Sequence, residues 1–80
     1  MAGTLEDLLY EARMRRGLPD PAMRKLLRAR AGVSQQAIAD EVGCSREEIS
    51  RYEAGRRTPR GRFLVAYVAV LDRLVRELSE

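Results

Sequence analysis

Four arginines, Arg56, Arg57, Arg60 and Arg62, fall within seven consecutive residues that hold no acid. A guanidinium is a planar fork of N–H donors that fits phosphate oxygens or the O6/N7 edge of guanine in pairs. A second basic segment, residues 20–33, sets Arg24, Lys25, Arg28 and Arg30 against Asp20, a net charge of +3. Between the two, residues 34–53 carry two arginines against five acids. Residues 1–19 are neutral and residues 63–80 sum to −1. A polyanion would therefore be gripped from two flanks. Fourteen of the fifteen basic residues are arginine. Codon composition can produce that overall bias, but it does not produce the cluster at 56–62.

Other chemistries are excluded by what is missing. The chain has no histidine and one cysteine, Cys44. That removes a disulfide scaffold, a Cys/His zinc site, a Ser-His-Asp triad and a Cys-His dyad. The carboxylates are scattered, with no Gly-rich phosphate loop beside them, so no catalysis, metal or cofactor is expected. Eighty residues make one small domain. The longest apolar run, Phe63 to Leu71, has nine residues, against about 20 for a membrane span. Glu6 and Asp7 stand where a secretory signal would be apolar. A cytoplasmic protein is the expectation.

The elements that must position these arginines are all helical. Thr4 can cap a first helix with Asp7 three residues on, and Leu5, Leu8, Leu9 and Ala12 share one of its faces. Gly17-Leu18-Pro19 stops it. Asp20 and Pro21 suit the start of a second helix, whose stripe is Met23, Leu26, Leu27 and Ala31 and whose end is Gly32. Ser34 caps a third, Gln35 to about Val42, with Ile38, Ala39 and Val42 inward. Gly43-Cys44 makes a turn. Ser45 caps a fourth, with Glu48 placed for a capping box, and Gly55 can close it. A long helix follows from about Arg60 to Leu78. The expectation is an all-α, compact bundle of about five helices, without strands.

The informative stretch is Ser34 to Pro59, SQQAIADEVGCSREEISRYEAGRRTP. Ala39 is small where two helices must cross closely. Gly43, four residues later, suits a turn that needs positive φ. Ile49 can close the same small core. Two short helices joined this way make a helix-turn-helix, whose second helix enters the DNA major groove.

These residues resemble the Cro/C1-type, or XRE, helix-turn-helix family of phage and bacterial transcriptional regulators. The matching positions are Gln35, Ile38, Ala39, Val42, Gly43, Ser45, Ile49, Ser50, Tyr52, Glu53, Gly55 and Pro59, and the likeness reaches back through Arg28, Gly32 and Ser34. It spans about residues 24–71. The resemblance implies a lambda-repressor-like DNA-binding domain. It places Arg46, Glu47, Ser50 and Arg51 at base-reading positions. It places Gln35, Gln36, Arg28, Arg56, Arg57 and Arg60 at the DNA backbone, with Arg28 held against Glu53. Arg46 and Arg51 suit guanine, and Glu47 can accept from cytosine N4.

Plainer readings stand beside these. Glu47 can simply favour the helix N-terminus. Glu48 can be the capping partner of Ser45. Arg51 can pair with Glu47 on a solvated face. Arg60 and Arg62 can solubilise the start of the last helix. Cys44 can be a small turn residue or a redox thiol, and Tyr52 a core residue or a stacking group. The acids Glu47 and Glu48 cost nonspecific affinity for a polyanion, which the flanking arginines must outweigh.

The last helix is apolar nearly all round over 63–71. The first helix can cover its second face, through Leu5, Leu8, Leu9 and Ala12. A second subunit can cover it instead, making a homodimer through residues 63–78 that reads a palindromic operator in double-stranded DNA. The expected function is a sequence-specific transcriptional regulator, a repressor or Cro-like protein. The alternatives are an antitoxin that also binds a toxin, and a helical adaptor whose partner is a protein.

Overall fold

Four of the five helices start where a side chain takes an orphan backbone N–H; the last starts at Arg60 without such a bond. The computed structural model describes residues 3–80 and holds five helices: α1 (Leu5–Arg16), α2 (Pro21–Ala31), α3 (Gln35–Val42), α4 (Arg46–Ala54) and α5 (Gly61–Leu78). Thr4, Asp20, Ser34 and Ser45 accept from the backbone N–H three residues ahead, on Asp7, Met23, Ala37 and Glu48. The capping box expected at Ser45 is only half made. Glu48 turns its carboxylate to Arg51 and Arg57 instead.

Helix ends are as local as their starts. Gly43 adopts φ 89° between α3 and α4, and the N–H groups of Gly43 and Cys44 both reach the carbonyl of Ala39. Gly55, at φ 74°, closes α4 in a Schellman motif: its N–H meets Tyr52 O, and that of Arg56 meets Arg51 O. A side chain at either glycine would be strained in this left-handed region.

The core lies between α3, α4 and α5. Helix α5 touches α1, α2 and α3, while α4 packs on α2 and α3. Ile38, Ala39 and Val42 of α3 meet Ile49 and Tyr52 of α4 and Tyr67, Leu71 and Leu74 of α5. Ala39 and Ile49 are fully buried. Ala39 has no side chain beyond Cβ, which lets α3 and α4 approach closely.

Two expected faces are corrected. Helix α1 does pack on α5, yet no α1 residue is buried. Leu5, Leu8 and Leu9 face outward, and the half-buried positions are Glu11, Ala12 and Met14. Only the C-terminal half of α1 reaches the bundle. On α2, Met23 and Leu26 are exposed, and Arg24 is buried with Leu27 and Ala31 half-buried beside it. Arg24 turns inward because two carbonyls await it. Its Nε–H donates to Pro19 O at 2.7 Å and its Nη1–H to Tyr52 O at 2.9 Å. It thereby ties the α1–α2 loop to the last turn of α4, where a cation is favoured by the helix dipole. Burial pulls its pKa below the ordinary arginine value, with Tyr67 and Asp20 opposing.

Tyr67 stacks at a tilt on Tyr52, with ring centroids 5.1 Å apart. Its hydroxyl is buried and makes no hydrogen bond. Burial, more than any neighbour, raises the pKa of both phenols, that of Tyr52 to about 12. A phenol whose pKa rises on folding contributes stability below its unfolded pKa of about 10, and that share is lost as pH climbs through the folded value. Tyr67→Phe removes the orphan hydroxyl. It is expected to raise stability at neutral pH by about 1 kcal/mol and to blunt the alkaline loss that begins near pH 10. Thermal melts across pH 7–12 check both; a lower Tm for the variant at neutral pH refutes the first.

Candidate nucleic-acid interface

Helix α4 is divided lengthwise. Ile49, Tyr52 and Glu53 point inward, while Arg46, Glu47, Ser50 and Arg51 are exposed on the other side. The four sequence-expected base readers therefore share one solvent face. Arg46 meets only Glu47, at 3.4 Å, with both side chains more than half exposed. Such a pair contributes little and leaves Arg46 available. Ser50 Oγ makes no hydrogen bond among the described residues. Arg51 pairs with Glu48 instead of the alternative partner Glu47, its Nη1 donating to Glu48 Oε1 at 3.2 Å.

Beside this face a buried polar cluster joins three helices. Arg28 of α2 grips Glu53 of α4 with two bonds, Nε to Oε2 at 2.6 Å and Nη2 to Oε1 at 3.1 Å. Its Nη1 donates to Val33 O at 2.9 Å. The hydrogen bond to Glu53 holds the Arg28 pKa above its usual value, against a smaller opposing effect of burial. Gln35, the first residue of α3, donates from Nε2 to Glu53 Oε1 at 3.0 Å. The Arg28–Glu53 contact that the family resemblance implies is thus present, and Gln35 joins it. Gln36 lies apart on the surface, its Nε2 on Asp40 at 2.8 Å.

The loop after α4 carries the arginine cluster. Arg56, Arg57 and Arg60 are exposed. They border a groove of about 750 Å³ whose other walls include Ser45, Glu48, Tyr52 and Phe63. Arg57 Nε lies 3.2 Å from Glu48 Oε2. Arg62 sits over the Phe63 ring, 5.0 Å from its centroid. Tyr52 is 2 % exposed, which makes it a core residue and no stacking platform. Cys44 is half-buried; burial first and Glu48 second push its thiol pKa up. A reactive thiolate is thereby disfavoured, in keeping with a turn residue.

A family model described as a helix-turn-helix domain matches residues 25–80. The chain belongs to the helix-turn-helix domain family. The match takes in α3, α4, α5 and most of α2, and leaves α1 outside. No curated protein and no solved structure matches the chain. In this helix-turn-helix domain the sequence reading missed Arg24 and the Glu48 contacts. Arg24 had one visible signal, its place one helical turn before Arg28. Glu48 had none beyond its i, i+3 spacing from Arg51. No helix of the described chain is long and apolar enough to cross a membrane.

Proposed function

We propose that this helix-turn-helix domain is a sequence-specific, double-stranded DNA-binding transcriptional regulator of the Cro/C1 kind, with α4 as the helix that enters the major groove. The observation that carries this reading is the division of α4. One side is seated by Ile49, Tyr52 and Glu53, and Arg46, Glu47, Ser50 and Arg51 are all exposed to solvent. In this role Arg46 and Arg51 donate to guanine, Glu47 accepts from cytosine and Ser50 accommodates either. Arg56, Arg57 and Arg60 grip phosphates on one flank. Gln35, Gln36 and the remaining N–H groups of Arg28 meet the backbone on the other, at the start of α3, where the helix N-terminus attracts an anion. Phosphate contacts supply most of the affinity and its salt dependence, and the α4 contacts supply the choice of sequence.

A second copy would bind through α5. Val75 and Leu78 are exposed there. A groove of about 490 Å³ runs between α5 and α3, with Val33, Ile38, Val70 and Leu74 in its walls. A two-fold pair would set two α4 helices one DNA turn apart, about 34 Å. The exposed Leu5, Leu8 and Leu9 favour one variant of this reading, an antitoxin that binds DNA and also a partner protein through α1.

Selection from a randomised duplex pool at near-physiological salt tests the function. A recovered palindrome supports the dimeric regulator, a single half-site supports a monomeric one, and no enrichment refutes sequence-specific binding. On the selected site, Arg46→Ala is expected to cost about 1–3 kcal/mol and to relax one base position. Arg56→Ala is expected to weaken every duplex alike and to lower the salt slope by about one. Binding isotherms on matched and mismatched duplexes separate the two outcomes. Equal weakening of all sequences by Arg46→Ala removes it from the base-reading set.

A further inference from the structure

We propose that Glu48 is a positioning residue for DNA reading, fastening a base-reading arginine and a backbone-gripping arginine to one carboxylate. This rests on the DNA-binding reading of α4. An acid near the DNA face is costly unless its charge is used, and here both oxygens are used. Oε1 accepts from Arg51 Nη1 at 3.2 Å, and Oε2 lies 3.2 Å from Arg57 Nε. The Glu48 side chain is 18 % exposed, whereas those of Arg51 and Arg57 are 51 % and 63 % exposed. The carboxylate is therefore tucked behind, and the guanidinium groups reach outward. A carboxylate occupies only one edge of a guanidinium, so each arginine keeps outward N–H groups for an acceptor on DNA.

The two arginines come from different places. Arg51 belongs to α4, and Arg57 to the loop that leads into α5. Glu48 thus bridges the reading helix to the basic loop across the wall of the 750 Å³ groove. A long arginine chain on a free surface samples many rotamers, and holding it beforehand removes part of the ordering cost of binding. Glu48 also cancels charge, which weakens the grip on unrelated sequences. Both effects widen the gap between the preferred site and the rest.

The test compares wild type, Glu48→Gln and Glu48→Ala on the selected duplex, on its single-pair variants and on a scrambled duplex, with melting temperatures to confirm folding. Glu48→Gln keeps the shape and one acceptor, so it remains informative if Glu48→Ala is unstable. The expected result is tighter binding to scrambled DNA together with a loss of discrimination on the order of tenfold at the pair read by Arg51. A uniform tightening on all duplexes, with discrimination intact, shows that Glu48 acts by charge alone and overturns the proposal. If wild type itself prefers no sequence, the DNA reading falls and this proposal falls with it. A preferred site for wild type with unchanged discrimination in both variants overturns this proposal and leaves the DNA reading standing.

Discussion

Replacing Glu53 with alanine is expected to remove about 3–5 kcal/mol of folding stability, the usual result of stranding one member of a buried ion pair. The Glu53 side chain is 4 % exposed, so water cannot replace it as acceptor, while Arg28, at 16 %, keeps only its outer edge in solvent. Three donors converge on the carboxylate, two from Arg28 and one from Gln35. All lose their acceptor together. For a domain of this size the total stability is about 4–12 kcal/mol, so the variant loses a large share of it. Urea unfolding of Glu53→Ala measures the loss directly. Glu53→Gln keeps an acceptor in place and is expected to fall between the two. The double variant Arg28→Met with Glu53→Leu is expected to recover much of the loss, since no charge is then left unpaired. A loss below about 1 kcal/mol for Glu53→Ala would class the pair with surface ion pairs and contradict the burial of this cluster.

The second large effect is expected at Ile49. It is 0 % exposed and stands on the reverse of the face that carries Arg46 and Ser50. Ile49→Ala deletes three carbons from the contact between α3 and α4 and is expected to cost about 2–5 kcal/mol. Ile49→Val, with one carbon lost, is expected to cost about 0.5–1.5 kcal/mol. The same urea series checks both. Under the proposed DNA-binding role the functional signature differs from that of Arg46→Ala: folded Ile49→Val is expected to keep the sequence preference of wild type. Relaxed specificity in a fully folded Ile49→Val would mean that the core sets the pose of α4 more finely than its ion pairs do.

What could be read from the sequence was local. Ser34, Ser45, Asp20 and Thr4 cap their helices because a side-chain oxygen reaches an N–H three residues away, whatever lies beyond. Gly32, Gly43 and Gly55 all adopt positive φ, each at the end of a helix. The split of α4 was also legible, since Ile49 and Tyr52 stand three apart on one side of a turn. Distant partners set the remainder. Arg24 is buried because the carbonyls of Pro19 and Tyr52 converge on it, and Tyr52 is twenty-eight residues away. Periodicity ranks Met23 and Leu26 as core by type, but the seat on α4 and α5 is filled by other residues. Ser45, three residues before Glu48, marks it as a capping partner, but its two oxygens go to Arg51 and to Arg57 on the loop. Leu5, Leu8 and Leu9 form a regular apolar face, and regularity alone does not say whether a surface is there to receive it.

The exposed position of α1 makes the stability of the chain uneven along its length. Helix α1 buries none of its twelve residues and meets α5 only through its C-terminal half, and a helix of that length is marginal in water without strong tertiary support. Its amides are therefore expected to exchange through local opening, and those of α3, α4 and the middle of α5 chiefly through global unfolding. The boundary between the two regimes falls near Leu18, the first residue along the chain that packs against the core. Beyond it the domain is expected to open as one cooperative unit; before it the first helix is expected to fray while the α3–α4 pair keeps its shape.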